Sequence, residues 1–304
     1  MNNICEYFFD EPPQKIYKIA DKILIDNETQ RQNLLCDLKR LKLENSSQGF
    51  LLKHTENTRG ITSIASSNMY RQIGITTPQI FLCKSKNKKL CSSIQQDIST
   101  ISDEIITILA GDDLEFSKIE NSLLSKFKWQ IFYDKSLNDH FLTFLTENCL
   151  EELKNIFLID ELRTDIDRHT KNYFFYKSKD SNRYEGIIVI DLEQMIIFNY
   201  CKSSKDDFLN FLTFPYQSYT PHFTTDETSY CQRVHDVRDL IQEGALSESN
   251  IKTLINALKY NFPAEIKNLC KQKHLSLKER KLITSPIERL WEYNNQTIGK
   301  ELGL

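Results

Sequence analysis

The hydrophobic pattern of the first hundred residues consists of short apolar runs separated by polar segments. Three runs predict strands: 49–54, 79–83 and 90–94. Between the first two, Ser63 to Ile73 has a helical pattern and is followed by Gly74, a residue type that commonly ends a helix. Two earlier segments, 15–26 and 33–43, have apolar residues at both helical and alternating spacing. The pattern therefore leaves helix and strand open for them.

Beyond residue 100 the apolar positions recur at helical spacing. The segment 101–162 reads as helical, including the apolar cluster from Ile105 to Leu109. Five later segments also predict helices: 233–242, 249–261, 263–273, 276–283 and 287–302. Ser247 and Ser276 are placed to cap two of them, and Glu279 completes the spacing of a capping box. We expect an α+β chain with a small N-lobe over residues 1–96 and a helical C-lobe over 97–304.

Composition narrows the class of protein. The chain has 304 residues and a formal net charge of −3, so no global basic field points to nucleic-acid or membrane binding. Its eight cysteines are scattered singly, which argues against structural zinc or a disulfide framework and favours a reducing compartment. No apolar stretch is long enough for a transmembrane helix, and the N-terminus has no secretory signal pattern. We expect a cytoplasmic protein.

The candidate chemistry lies between Asp165 and Glu193. Asp167 and Asn172 lead into an apolar run, and a second apolar run ends on Asp191. Phosphoryl transfer needs Mg²⁺ held by an Asp and an Asn, and a second Asp that orients the attacking hydroxyl. Asp167 would be this base, and Asn172 and Asp191 would hold the metal. Asp165 could take the base role instead.

The spacing of the two metal ligands is compatible with one site. Asn172 and Asp191 are nineteen residues apart, enough for two short strands joined by the polar segment 177–185. Such a hairpin would bring both side chains to the same end.

A lysine in the first third of the chain suits the same chemistry. Lys53 ends the apolar run that begins at Gly49, and a strand-end lysine is an expected ligand for nucleotide phosphates. Two features that would support nucleotide binding are missing. No clear glycine-rich loop precedes Lys53, and the predicted helix from Ser63 to Ile73 has no acid to pair with it.

These residues resemble a known family. The run from Asp167 to Asn172, Asp-Arg-His-Thr-Lys-Asn, is similar to the Asp-x-His-x-Lys-Asn catalytic loop of HipA-like serine/threonine kinases. Its Asp-Arg-His-x-x-Asn subset resembles phosphatidylinositol 3/4-kinases. Asp191 stands where both families carry a metal-binding Asp. The resemblance covers roughly residues 49–98 and 160–195.

The resemblance implies a bilobal protein-kinase-like fold with a small antiparallel N-lobe sheet and a mostly helical C-lobe. It also implies ATP and Mg²⁺ as cofactors. Gln96 and Ile98 would belong to the hinge between the lobes, whose backbone meets the adenine edge. His169 would shape the catalytic loop, and Lys171 would contact the transferred phosphoryl group.

Three functions compete. The first is an atypical Ser/Thr protein kinase, a HipA-like toxin or a bacterial effector delivered to a host cytosol, with a protein substrate and an antitoxin or other regulatory partner. The second is a phosphoinositide kinase, for which only Lys84 to Lys89 offers a basic surface. The third is a pseudokinase that serves as a binding or regulatory module, supported by the missing glycine-rich loop and helix acid.

Overall fold

The structure is a computed structural model that describes residues 4–7, 16–19, 22–33, 36–43, 49–84, 89–98, 105–110, 150–165, 172–178, 184–193 and 230–304. These residues form an N-terminal sheet, a second, smaller sheet and a set of C-terminal helices, which confirms the α+β class. Among the described helices, none combines the length and the apolar character needed to cross a bilayer.

The N-terminal sheet has seven strands. They are β1 (Ile4–Tyr7), β2 (Ile16–Ile19), β3 (Lys22–Asn33), β4 (Cys36–Leu43), β5 (Gly49–Glu56), β6 (Ile80–Lys84) and β7 (Leu90–Gln96). Their order is β1-β2-β3-β4-β5-β7-β6, with antiparallel pairing throughout, and β1 also pairs in parallel with β6 to close the sheet. The two segments that the pattern left open are strands, because pairing with neighbours decides between helix and strand where local propensity does not.

Helix α1 (Asn57–Gln72) follows β5 directly and begins six residues before the predicted start at Ser63. Its first turns contain Gly60, where a Cβ would lie 2.4 Å from the Cβ of Cys91. Glycine is therefore required for the close approach of α1 to β7, although it weakens a helix locally. The helix ends before Gly74, whose φ of +91° suits only glycine.

The second sheet contains β8 (Ile105–Ala110), β9 (Tyr173–Ser178) and β10 (Tyr184–Val189), in the order β10-β9-β8. The helical prediction for Ile105 to Leu109 is therefore wrong. This segment is rich in β-branched residues, which favour a strand, and β9 supplies its hydrogen-bonding partner from 64 to 73 residues away. The rest of the region predicted as helical up to residue 149 lies outside the described residues.

Five α-helices complete the described fold: α2 (Leu150–Arg163), α3 (Tyr230–Gln242), α4 (Glu248–Lys259), α5 (Phe262–Gln272) and α6 (Leu277–Asn294). A short π-helix (Asn295–Gly299) follows α6 directly. The predicted capping box at Ser276 is confirmed, and Ser247 forms another with Asn250. The two helices predicted on either side of Pro286 are one continuous helix. Pro286 is buried with its apolar neighbours, and this packing offsets the lost hydrogen bond of a proline inside a helix.

One buried apolar cluster extends from α1 and β6 through α2 and β10 to the C-terminal helices. Within it, the rings of Phe262 and Trp291 stack with centroids 5.1 Å apart. The N-terminal sheet is thus joined to the helical part through α1, and both α2 and β10, which lead into the candidate site, pack on this core.

The cap of α4 gives a first stability prediction. Ser247 accepts a hydrogen bond from the Asn250 N–H and donates one to Glu151 on α2 at 2.6 Å. Ser247→Ala should lower the free energy of unfolding by about 1 kcal/mol, measured by urea denaturation. Ser249→Ala, two residues along on the exposed side, is the matched control and should change it by less than about 0.5 kcal/mol. Equal stability of the two variants would contradict the capping role.

A second prediction concerns Glu152 on α2. Burial raises the pKa of this carboxyl to about 7, against an opposing hydrogen bond from the Ile187 backbone. Because an unfolded-state glutamate titrates near 4.3, the folded state binds a proton that the unfolded state has lost, and stability falls as pH rises from about 4.5 to 7. Glu152→Gln should therefore raise stability at pH 8 by roughly 1 kcal/mol and have little effect at pH 5. Thermal unfolding at both pH values tests this, and a gain equal at both would refute it.

Candidate active site

The hairpin of β9 and β10 positions the two predicted metal ligands. Tyr173 pairs with Val189, and the Ile190 N–H donates a hydrogen bond to the Asn172 carbonyl at 2.8 Å. Asn172 and Asp191 therefore lie at the same end of the hairpin, one residue before β9 and two residues after β10. Asn172 is buried, whereas the Asp191 side chain is 37% exposed.

Asp191 has an unusual backbone. Its φ is +57°, in the left-handed region that residues other than glycine rarely adopt. The next residue, Leu192, is buried, and its carbonyl accepts a hydrogen bond of 2.7 Å from Arg163 Nη2. A left-handed non-glycine residue persists where the surroundings hold it, and such positions cluster at functional sites.

Lys53 reaches this turn from β5. Its Nζ lies 3.1 Å from Asp191 Oδ1 and 2.8 Å from Glu193 Oε2. The structure thus brings the predicted phosphate lysine together with a predicted metal ligand that is 138 residues away in sequence. It also adds Glu193, to which the sequence analysis assigned no role. The available signal was the alternation of acids in Ile-Asp-Leu-Glu, which places a second carboxylate two residues after Asp191.

The charges at the turn are interdependent. Burial raises the pKa of Glu193, and the neighbouring Asp191 carboxylate raises it further. The Lys53 ammonium and the Arg59 guanidinium at the start of α1 oppose this shift. Arg59 Nη1 is itself buried with no hydrogen-bond partner among the described residues. Two carboxylates and two cations therefore influence one another at a partly buried turn, where charge interactions are stronger than in water.

The donor set fits Mg²⁺. Asp191 offers a carboxylate and Asn172 an amide oxygen, the hard ligands that this ion prefers. In the part of the chain that the structure describes, no three His, Cys, Asp or Glu side chains converge as a metal cage. A site with one carboxylate, completed by waters and substrate phosphates, is a common way for proteins to bind Mg²⁺ at nucleotides.

Arg163 connects the turn to the segment that enters the predicted catalytic loop. Its side chain is fully buried at the end of α2, and besides the Leu192 carbonyl it donates to Tyr70 Oη at 3.2 Å. Its Nη1 is also 3.4 Å from Asp165 Oδ2 and 3.9 Å from Asp160 Oδ1. The Tyr70 hydroxyl in turn donates to Asp160. One guanidinium therefore links α1, α2, the loop entrance and the turn from Asp191 to Glu193.

The loop entrance is strained and buried. Thr164 has a φ of +55° with a side chain that is almost fully buried, and Asp165 follows with 1% of its side chain exposed. Because the Asp165 carboxylate contacts Arg163, it is poorly placed to meet an incoming acceptor hydroxyl. This favours Asp167 as the base, although Asp167, His169 and Lys171 all lie outside the described residues.

Gln96 and Ile98, the predicted hinge residues, lie at and just after the end of β7. Gln96 is the last residue of β7, and its N–H donates to the Gln79 carbonyl at 2.9 Å. The Asp97 N–H donates to the Gly49 carbonyl at 3.0 Å. Neither N–H is available to an adenine edge, so a backbone contact here would fall to a carbonyl or to the half-buried Ile98.

Comparisons with known proteins bear on the fold. No protein-family model and no curated protein sequence matches the chain. Among solved structures, the proinflammatory kinase CtkA of Helicobacter pylori matches with a TM-score of 0.55 and 13% identity, over 90% of this chain and 94% of that chain. HipA of Shewanella oneidensis MR-1, solved with HipB and operator DNA, matches with a TM-score of 0.47 and 10% identity, over 90% of this chain and 66% of that chain. The chain has a kinase-like fold.

Proposed function

We propose that the protein is an ATP-dependent phosphotransferase that transfers the γ-phosphate to a Ser or Thr hydroxyl of a protein substrate. The observation that carries this proposal is the contact of Lys53 with Asp191 at the end of the hairpin that also presents Asn172, within a kinase-like fold. A buried lysine, a carboxylate and an amide at one point are the set that nucleotide phosphates and their metal require.

Each residue has a role in this proposal. Asn172 and Asp191 hold Mg²⁺, which neutralises the charge of the nucleotide phosphates when it is bound. Lys53 binds the phosphates, for which its side chain is already held at the site with 13% exposure. Asp167 orients the acceptor hydroxyl, Lys171 contacts the transferred phosphoryl group, and His169 shapes the loop. Gln96 and Ile98 contact the adenine.

The described site bears on the pseudokinase alternative. That alternative drew support from the absence of an acid on the predicted helix, which would leave the phosphate lysine without a partner. Lys53 nevertheless has a buried acidic partner in Glu193 at 2.8 Å. The phosphoinositide alternative differs only in the acceptor, and the choice of acceptor in the experiment below distinguishes it. An antitoxin or other regulatory partner, and a bacterial or host cytoplasmic location, stay predictions from the sequence resemblance.

The metal-ligand role of Asp191 gives a direct test. Asp191→Asn should reduce transfer of labelled γ-phosphate at least about 100-fold, because the amide cannot supply the negative charge that holds the metal. Transfer is measured with Mg²⁺ to the protein itself, to a generic protein acceptor and to phosphoinositide vesicles. The matched control is Asp239→Asn on α3, where an exposed carboxylate pairs with Arg238, and it should retain full transfer.

The outcomes separate the alternatives. Labelled phosphate on a protein acceptor, lost in Asp191→Asn, supports the proposed function. Labelled phosphate on the lipid would instead identify a phosphoinositide kinase. Full transfer by Asp191→Asn would show that the metal assignment is wrong. Failure of the wild-type protein both to transfer phosphate and to bind MgATP would favour the pseudokinase.

Variants of Asp165 and Asp167 test which of the two carboxylates acts as the catalytic base. Asp167→Ala should abolish transfer and leave the melting temperature nearly unchanged, because a carboxylate that faces substrate contributes little to folding. Asp165→Asn should lower the free energy of unfolding by about 1 to 3 kcal/mol, because it removes a buried charge partner of Arg163. Thermal unfolding and phosphate transfer are measured on both variants. Unaffected transfer in Asp167→Ala would return the base role to Asp165.

A further inference from the structure

The acid that pairs with the phosphate lysine is missing from its usual element. In protein kinases this lysine forms an ion pair with a glutamate of the N-lobe helix, and the pair must be intact for transfer. In this chain α1 contains no Asp or Glu between Asn57 and Gln72. Its first turn instead carries a positively charged residue, Arg59. Lys53 therefore takes its acidic partners from the turn that follows β10.

We propose that Glu193 is the positioning residue for Lys53 and replaces the helix acid. This inference rests on the proposed function, because it assigns to Lys53 the role of phosphate ligand. Glu193 acts through Lys53 and touches neither nucleotide nor substrate.

Distance and burial favour Glu193 over Asp191 as the carboxylate that stays paired with Lys53 when a metal ion is bound. The Lys53 Nζ is 2.8 Å from Glu193 and 3.1 Å from Asp191, and the Glu193 side chain is 5% exposed against 37% for Asp191. The more exposed carboxylate is the one suited to receive a metal ion. When Asp191 coordinates the metal, Glu193 remains to hold the ammonium through their ion pair, and its buried position means that solvent and salt screen this attraction less than at the surface.

Glu193 is also held in place by its neighbours in the fold. Its backbone belongs to the turn that Arg163 holds through the Leu192 carbonyl. The lysine of this ion pair comes from β5, and the acid comes from the turn after β10, whereas in other kinases the acid comes from the helix.

The first readout does not depend on catalysis. Without nucleotide, the rate at which an amine-directed acylating reagent modifies Lys53 is followed by peptide mass spectrometry. A buried, ion-paired ammonium reacts slowly, so Glu193→Gln should raise this rate by about 5-fold or more. Glu193→Asp, which keeps the charge on a shorter side chain, should give an intermediate rate. Glu152→Gln, a glutamate-to-glutamine change on α2, is the matched control and should react like wild type.

The second readout is the kinetics of phosphate transfer. Glu193→Gln should raise the KM for ATP by about 10-fold and lower kcat, whereas Glu193→Asp should recover part of the loss. In a Lys53→Ala background, Glu193→Gln should cause no further loss, because a residue that acts through Lys53 has nothing left to position. A general structural role would instead give additive losses and a lowered melting temperature.

The results distinguish this inference from the proposed function. Unchanged Lys53 modification in both Glu193 variants, or additive losses in the Lys53→Ala background, would overturn the role of Glu193 and leave the kinase proposal standing. A wild-type protein that transfers no phosphate would refute the kinase proposal, while the modification rates would still show whether Glu193 holds Lys53.

Discussion

The described site depends on the burial of one guanidinium. Arg163 has no exposed surface, and it donates hydrogen bonds to a backbone carbonyl of the turn from Asp191 to Glu193, a tyrosine hydroxyl of α1 and a carboxylate at the loop entrance. A charge removed from water in this way is tolerated only when it is paired and hydrogen-bonded. The four segments that meet at Arg163 are therefore constrained together. This explains how two residues with left-handed backbones, Thr164 and Asp191, occur within one small region.

Local signals allowed the sequence to predict the parts of the fold that depend on neighbouring residues. The cap at Ser276, the end of α1 before Gly74 and the approach of Asn172 to Asp191 follow from short-range spacing, since a hairpin joins residues close in sequence. The strand Ile105–Ala110 and the continuous helix through Pro286 were not predicted. Both depend on partners far along the chain, a neighbouring strand in one case and buried packing in the other.

The candidate site also combines features that neighbouring residues predict with contacts between residues far apart in sequence. Lys53 and Asp191 could be singled out by residue type and position, but only the folded chain shows that they are in contact. Glu193 and Arg163 escaped notice because a charged residue just after a strand or at a helix end normally faces solvent. The burial of these two charged side chains is what marks them as part of the candidate site, and burial cannot be read from the sequence alone. The residues proposed for catalysis between 166 and 171 lie outside the described residues, so their roles stay predictions.

The position of α1 has a consequence for how activity could be controlled. Asn68 donates to Glu265 of α5 at 2.9 Å, and Tyr70 bonds to Asp160 of α2, so the helix is fastened to the helical part of the molecule. Gly60 also brings it against β7 without space for a side chain. Because α1 is held on both sides, a movement of this helix is a poor way to control the position of Lys53. Control of the lysine would instead act on the turn from Asp191 to Glu193, where one displacement would separate Lys53 from both of its acidic partners.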